Sequence, residues 1–160
     1  MSYSFITRRR SLVMWLYVMV SGHLLASMVL TWTAQSGLFD NYLSSLEEVF
    51  WTGAAPTSAR AQQTWWLALF GATLQSYSLY MLALVHIGNR QKTPMVWGWL
   101  IAGLVLWAPQ DILLSIQVGV WSHLWLDTFA LLMLLPPLVW LYRLDRKHQR
   151  GAIGQGPSNV

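Results

Sequence analysis

The chain has 160 residues, of which 55% are hydrophobic and only 10% are charged, and its formal net charge is +4. A water-soluble domain of this length would need a more strongly charged surface than this composition provides. The composition therefore excludes an ordinary soluble domain. The absence of cysteine from the sequence also excludes disulfides, thiolate metal ligands and thiol redox chemistry.

The apolar residues occur in four long runs. A helix needs roughly 20 residues to cross a hydrocarbon core about 30 Å thick, and each run approaches or exceeds that length. The sequence predicts an all-α membrane protein with four transmembrane helices, spans 1 to 4, at about residues 11–34, 64–88, 95–118 and 121–142. Short connections favour antiparallel neighbours, so a four-helix antiparallel bundle is predicted. Residues 1–150 form a single domain in this prediction, and residues 151–160 are a disordered cytoplasmic tail.

Span 1 follows three arginines, as a signal peptide would. Its apolar run is too long for a signal-peptide core and no small-residue cleavage site follows, so an uncleaved helix is predicted. Every lysine and arginine except Arg60 lies before span 1, between spans 2 and 3, or after span 4: Arg8, Arg9, Arg10, Arg90, Lys92, Arg143, Arg146, Lys147 and Arg150. Basic residues beside spans mark the cytoplasmic side. We therefore expect an integral protein of the bacterial inner membrane with both termini cytoplasmic.

Between spans 1 and 2 lies the one sizeable extramembrane segment. From Leu38 to Phe50, apolar residues that include Tyr42 recur at steps of three and four, and acids such as Glu47 and Glu48 fill other positions. This periodicity predicts an amphipathic helix on the outer side of the membrane. It could pack as a lid on the protein's own helices or recruit a partner.

The eleven tryptophans could suggest a pigment or quinone site, but most of them lie near predicted span ends. Indole rings favour the membrane interface, so an interfacial belt is predicted for eight of them: Trp15, Trp32, Trp65, Trp66, Trp97, Trp99, Trp121 and Trp140. Trp107 and Trp125 lie deeper, beside the polar residues of spans 3 and 4.

Residues 107–127 combine apolar and polar side chains. If span 3 ended before Pro109 it would have roughly a dozen residues and a length near 20 Å, which is too short to cross a bilayer. Span 3 is therefore predicted to continue through Pro109 to about Gln117, with the proline tolerated as a kink. This prediction moves Asp111 into the membrane, opposite Asp127.

Acidic side chains at such depths face a bundle interior or a wet cavity, because lipid solvates them poorly. Asp111 and Ser115 are four residues apart, as are His123 and Asp127, so each pair shares a helix face. The sequence predicts an outward-facing polar pocket with these candidate ligand-binding residues: Asp111, Asp127, His123, Gln110, Gln75 and Ser115. The alternative is that the polar groups only form interhelical hydrogen bonds, helped by small residues at the helix contacts.

The residue types of this pocket suit three chemistries to different degrees. His123, Asp127 and Asp111 are possible metal ligands, although the second histidine usual in intramembrane metal hydrolases is missing. Haem would need two histidines at one depth, and His23, His86 and His123 are predicted at three different depths. A carboxylate pair could instead hold a cation or the polar head of a lipid-like ligand. No cofactor is assigned.

We expect a small polytopic protein that acts, without catalysis, as an accessory or ligand-binding component of a membrane complex. The expected partners are membrane lipids and a membrane-protein partner or a second copy of the chain. The alternative function is an intramembrane transporter or a metal-dependent hydrolase that uses Asp111, His123 and Asp127. The basic residues indicate orientation and contact with anionic lipid, and nucleic acid is not an expected partner.

Overall fold

The computed structural model describes the backbone of residues 3–153 and the side-chain surroundings of residues 7–151. In this described part the chain forms five α-helices, which are α1 (Tyr3–Thr33), α2 (Asp40–Phe50), α3 (Thr57–Gln91), α4 (Pro94–Val118) and α5 (Trp121–Ile153). Spans 1 to 4 of the sequence prediction correspond to α1, α3, α4 and α5.

Within the described residues, four helices are long and apolar enough to cross a membrane, and they are α1, α3, α4 and α5. Large apolar side chains such as Trp32, Leu106 and Trp125 are exposed on their outer faces. So much exposed apolar surface would be unfavourable in water but is solvated by lipid. The fold is therefore that of an integral membrane protein, as the hydropathy of the sequence predicted.

Three of the four helices extend beyond their predicted apolar runs. Helix α1 begins at Tyr3, α3 covers Thr57–Gln91, and α5 continues to Ile153. Hydropathy marks the lipid-facing part of a helix, whereas backbone hydrogen bonding continues into polar flanks. The predicted disordered tail, 151–160, therefore begins inside α5, and its residues 154–160 lie outside the described part of the chain.

The connection between α4 and α5 lies at Gly119 and Val120. Helix α4 passes through Pro109 without ending and stops at Val118, which confirms the continuous third span. Gly119 then adopts a left-handed conformation with φ of 77°, and the Val120 amide donates to the Ser115 carbonyl at 2.9 Å. Glycine is favoured here because it reaches positive φ without a steric penalty.

Helix α2 confirms the amphipathic helix predicted between spans 1 and 2. Its Leu43 is buried, and Arg60 of α3 holds its polar face. The Arg60 guanidinium donates to both carboxylate oxygens of Glu47 at 2.9 Å and to the Ser44 hydroxyl at 3.0 Å. A bidentate arginine–carboxylate pair fixes orientation as well as distance. Side-chain hydrogen bonds from Arg60 thus join helix α2 to α3.

Helix α1 packs chiefly on α3, and α4 packs chiefly on α5, with smaller contacts of α3 with α4 and of α1 with α5. The α1–α3 contact is closest at Gly71, where a Cβ atom would lie 2.6 Å from the Thr31 hydroxyl oxygen. Small residues stabilise membrane helix pairs in this way, because they let the backbones approach. A buried core drawn from four helices includes Leu16, Val85, Leu104 and Leu138.

Candidate functional site: an aspartate–histidine cluster covered by α2

Three ionisable side chains from α4 and α5 meet near the connection between these two helices. Asp111 follows Pro109 in the last half of α4, and His123 and Asp127 lie one turn apart at the start of α5. The tight turn at Gly119 brings the two helix faces together. We call Asp111, His123 and Asp127, with Tyr42 of α2, the Asp111 cluster.

The distances in the cluster centre on the His123 ring. Its Nε2 atom lies 3.4 Å from Asp111 Oδ2 and 3.8 Å from Asp127 Oδ2. One ligand atom from each of the three side chains lies within 4.8 Å of the other two. The side chains of His123 and Asp111 are partly buried, with 27% and 26% of their surface exposed. The Asp127 side chain is more deeply buried, with 7% exposed.

The Asp127 carboxylate is incompletely satisfied. Its Oδ2 atom is buried and has no hydrogen-bond partner, and its nearest opposite group is the His123 ring at 3.8 Å. A buried polar group that lacks a hydrogen bond destabilises a protein by about 1–3 kcal/mol, and a charged group by more. Gln63 Oε1 and Ser78 Oγ are the other buried side-chain atoms of the described residues without a partner, and neither is charged.

Tyr42 of α2 contacts the cluster at the His123 ring. Its hydroxyl lies 3.3 Å from His123 Nδ1. Burial raises the pKa of Tyr42, and the charges of Asp127 and Asp111 raise it further, so the phenol stays neutral. Sequence analysis had placed Tyr42 only on the apolar face of the amphipathic helix. The contact with His123 depends on how α2 folds back, and no sequence periodicity indicates that.

The other predicted ligand-binding residues lie apart from these contacts. Gln110 is exposed and its amide donates to the Leu106 carbonyl of its own helix. Ser115 is buried in α4. The Gln75 amide donates to the Thr31 hydroxyl at 2.7 Å and, more weakly, to the Ser27 carbonyl. Gln75 therefore joins α3 to α1, which is the interhelical bonding that was the alternative interpretation.

An apolar cleft adjoins the cluster on the side of α2 and α3. It has a volume of about 530 Å³, within the range of about 300–1,000 Å³ usual for small-molecule sites. His123 and Tyr42 form one wall and Leu43, Trp66 and Phe70 lie among the other lining residues. The polar cluster and an apolar space of ligand size thus share two side chains.

A second polar cluster joins all four long helices, and sequence analysis missed it. The Arg9 guanidinium of α1 donates to both Asp145 carboxylate oxygens of α5 at 3.1 and 3.2 Å, and to Asn89 Oδ1 of α3 at 3.0 Å. The indole N–H of Trp97 of α4 donates to Asp145 Oδ2 at 2.8 Å. We call Arg9, Asn89, Trp97 and Asp145 the Arg9 cluster. Each of its four side chains is hydrogen-bonded directly to another member of the cluster, as is typical of a group that holds helices together.

The Arg9 cluster corrects one prediction. Trp97 was assigned to the interfacial belt, but it is fully buried and its ring packs on Gly88, where a Cβ atom would lie 2.8 Å from it. Position near a helix end favours the interface only for an indole that faces outward. One signal was available in the sequence: Asp145 is a lone acid among Arg143, Arg146 and Lys147.

Two tryptophans and two histidines that sequence analysis considered for the polar pocket or for haem lie apart from the Asp111 cluster or have other partners. Trp107 and Trp125 are both exposed, and neither is among the bonded groups of the Asp111 cluster. The His23 ring bonds the Met19 carbonyl of its own helix at 2.9 Å, and the His86 ring lies 3.3 Å from the Tyr17 hydroxyl. Each of these histidines therefore has a partner other than the Asp111 cluster.

The fold and the site together define a small membrane protein with a partly buried aspartate–histidine cluster next to an amphipathic helix. No protein-family model, curated protein or solved structure matches the chain. Its function has to be inferred from the geometry of this site.

Proposed function

We propose that this chain is a small polytopic protein of the bacterial inner membrane that binds a ligand at the Asp111 cluster and acts as an accessory component of a membrane complex. The observation that carries the proposal is the meeting of two carboxylates and an imidazole around the buried, unbonded Asp127 Oδ2. Interhelical hydrogen bonding explains Gln75 well. It does not explain a carboxylate oxygen that accepts no hydrogen bond.

The two polar clusters differ in a way that supports this assignment. In the Arg9 cluster, both Asp145 oxygens accept hydrogen bonds, at 2.8 to 3.2 Å, from the Arg9 guanidinium or the Trp97 indole. In the Asp111 cluster, the shortest separation between the His123 ring and a carboxylate is 3.4 Å, and Asp127 Oδ2 accepts no hydrogen bond. The first arrangement is typical of a structural contact, and the second is typical of a site that a ligand completes.

We also propose an antiparallel bundle with both termini in the cytoplasm and with α2 and the Asp111 cluster on the outer side. The Arg9 cluster joins the start of α1, the end of α3, the start of α4 and the end of α5. Alternating helix starts and ends meeting at one level are what an antiparallel bundle requires. Basic residues concentrate at these same helix ends, and such residues favour the cytoplasmic side.

The experiment is an inventory of everything that co-purifies with the full-length protein from its native membranes, by mass spectrometry of metals, lipids and proteins. It compares the wild type with Asp111→Asn and Asp127→Asn, which remove one charge each with little change in shape. Glu48→Gln is the matched control, because Glu48 is an exposed acid on α2.

One component in stoichiometric amount is expected with the wild type and with Glu48→Gln, and it should be lost from both cluster variants while all four proteins remain inserted. An identical inventory for the four proteins would contradict the proposal. The Asp111 cluster would then be a structural feature like the Gln75 contact.

A further inference from the structure

We infer that the ligand of the Asp111 cluster is a divalent transition-metal ion of the Zn²⁺ type, held by Asp111, His123 and Asp127. The inference rests on the proposed function and names the ligand class that the same site takes. Four features of the cluster support it, and they are the ligand spacing, the unbonded oxygen, the second nitrogen of His123 and the charge balance.

The spacing fits ligands that share one ion. Zinc binds imidazole nitrogen and carboxylate oxygen at about 2.0–2.2 Å in tetrahedral geometry, which places two ligand atoms about 3.3–3.6 Å apart. His123 Nε2 lies 3.4 Å from Asp111 Oδ2 and 3.8 Å from Asp127 Oδ2. The separation of the two carboxylate oxygens is at most 4.8 Å, and rotation about the broad terminal torsion of an aspartate can shorten it.

The unbonded oxygen gives independent support. Asp127 Oδ2 is one of the two carboxylate oxygens that face His123 Nε2. Among the described residues it is one of three buried side-chain atoms without a hydrogen-bond partner, with Gln63 Oε1 and Ser78 Oγ, and it is the one that belongs to a carboxylate. The Asp127 side chain is 93% buried, since only 7% of it is exposed. A cation between this oxygen and the ring would supply the missing partner.

The second nitrogen of His123 lies beside a hydroxyl oxygen, as is common for a histidine that binds metal. A histidine that binds metal through Nε2 usually donates its Nδ1–H to an oxygen nearby, which fixes the ring and its tautomer. The Tyr42 hydroxyl oxygen lies 3.3 Å from Nδ1 and can accept that hydrogen bond. In this tautomer the Nε2 lone pair points at the two carboxylates.

The charges also balance. Two carboxylates, one neutral imidazole and one divalent ion sum to zero, which suits a site placed within the membrane-crossing helices. The set of one nitrogen and two oxygens matches zinc and its neighbours, whereas calcium takes six to eight oxygen ligands. Three protein ligands leave a fourth position for water or for a group from a partner. The apolar cleft of about 530 Å³ shares His123 with the site and so lies beside the ion.

The test uses the full-length protein without a histidine tag, purified in detergent and treated with a chelator. Zn²⁺ is titrated by calorimetry, and Co²⁺ is added as a spectroscopic substitute whose visible absorption is strong in a tetrahedral site. One equivalent of Zn²⁺ should bind, and Co²⁺ should give the tetrahedral spectrum and lose it when Zn²⁺ is added.

The variants separate this site from chance binding elsewhere. Asp111→Asn, Asp127→Asn and His123→Gln should each weaken Zn²⁺ binding at least 100-fold, and Tyr42→Phe should weaken it about 10- to 100-fold, as loss of a ligand's supporting partner does. His86→Gln is the matched control, because the His86 ring also lies 3.3 Å from a tyrosine hydroxyl, and it should bind Zn²⁺ like the wild type.

Stoichiometric binding that is unaffected by the three ligand variants would overturn the inference, and so would a wild type that binds no Zn²⁺ and gives no tetrahedral Co²⁺ spectrum. The wild-type measurement decides the matter even where a variant does not fold. If Zn²⁺ does not bind but a lipid or protein is lost from the Asp111→Asn inventory, only the metal inference fails. If nothing is lost either, the proposed function fails as well.

Discussion

Replacing Asp145 with asparagine should destabilise the protein more than any other single carboxylate-to-amide change in the described part of the chain. The Asp145 side chain is 1% exposed, and its two oxygens accept hydrogen bonds from Arg9 Nε, Arg9 Nη2 and Trp97 Nε1. Asparagine keeps the size of the side chain. It offers one acceptor oxygen instead of two. Its amide N–H₂ group takes the place of the second oxygen and faces the donor atoms that bonded to that oxygen.

The magnitude follows from the burial of Arg9. Removing one partner from a buried ion pair costs about 3–5 kcal/mol, because the other charge stays buried and unpaired. The Arg9 side chain is 13% exposed, so partial hydration reduces this cost, and we expect a loss of about 3 kcal/mol in the free energy of unfolding. The effect should extend to all four long helices, since the Arg9 cluster has one member on each.

The assay is reversible unfolding in mixed micelles by titration with sodium dodecyl sulfate, followed by circular dichroism. Glu48→Gln is the control and should change the free energy by no more than about 0.5 kcal/mol, as exposed substitutions usually do. The double variant Arg9→Met with Asp145→Leu should recover part of the loss, because it leaves no unpaired charge. A loss below about 1 kcal/mol for Asp145→Asn would refute the reasoning.

Three further predictions concern other parts of the molecule. Gly71→Val should lower the free energy of unfolding by about 1–3 kcal/mol, because a Cβ atom would lie 2.6 Å from Thr31 Oγ1 and 2.8 Å from its amide nitrogen; an unchanged unfolding titration would show that α1 and α3 are less tightly packed. Burial first, and then two neighbouring carboxylates, raise the pKa of Tyr42 above 10.0, so an ultraviolet titration of wild type minus Tyr42→Phe should have its midpoint above pH 10. Because the unfolded tyrosine loses its proton first, the contribution of Tyr42 to stability should fall as the pH rises past 10, and a midpoint at or below pH 10 would contradict the burial of the hydroxyl. Since the chain has no cysteine, single-cysteine labelling is clean: an impermeant maleimide should label Glu48→Cys in intact cells and Lys92→Cys only after permeabilisation, and the reverse result would invert the proposed orientation.

Hydropathy and length were sufficient to predict the four long helices. Lipid imposes a minimum length on an apolar helix, so a span that stopped before Pro109 could be rejected by arithmetic alone. The continuous α4 from Pro94 to Val118 confirms that step. The periodicity from Leu38 to Phe50 was likewise sufficient for α2, because an amphipathic helix needs no tertiary contact to be recognised.

The cluster at the α4–α5 connection was predictable only in part. The spacing of His123 and Asp127 places both on one face, and the short turn at Gly119 limits where Asp111 can lie. Tyr42 was not predictable as a member, because its contact with His123 joins residues that are 81 positions apart in the sequence. Gln75 was predicted for the pocket and bonds α1, since depth along a helix axis does not determine which neighbour a side chain faces.

The sequence by itself thus determined that the protein belongs in a membrane, how many helices are long and apolar enough to cross it, and that Asp111 and Asp127 lie within the apolar runs of two of them. These properties depend on the transfer of side chains between water and lipid, which is local to each segment. Only the tertiary structure decided which polar groups meet. Trp97 and Asp145 are 48 residues apart and Arg9 and Asp145 are 136 residues apart, and pairing at such separations depends on how whole helices pack. The same packing leaves Asp127 Oδ2 without a hydrogen bond, and the proposed ligand site rests on that atom.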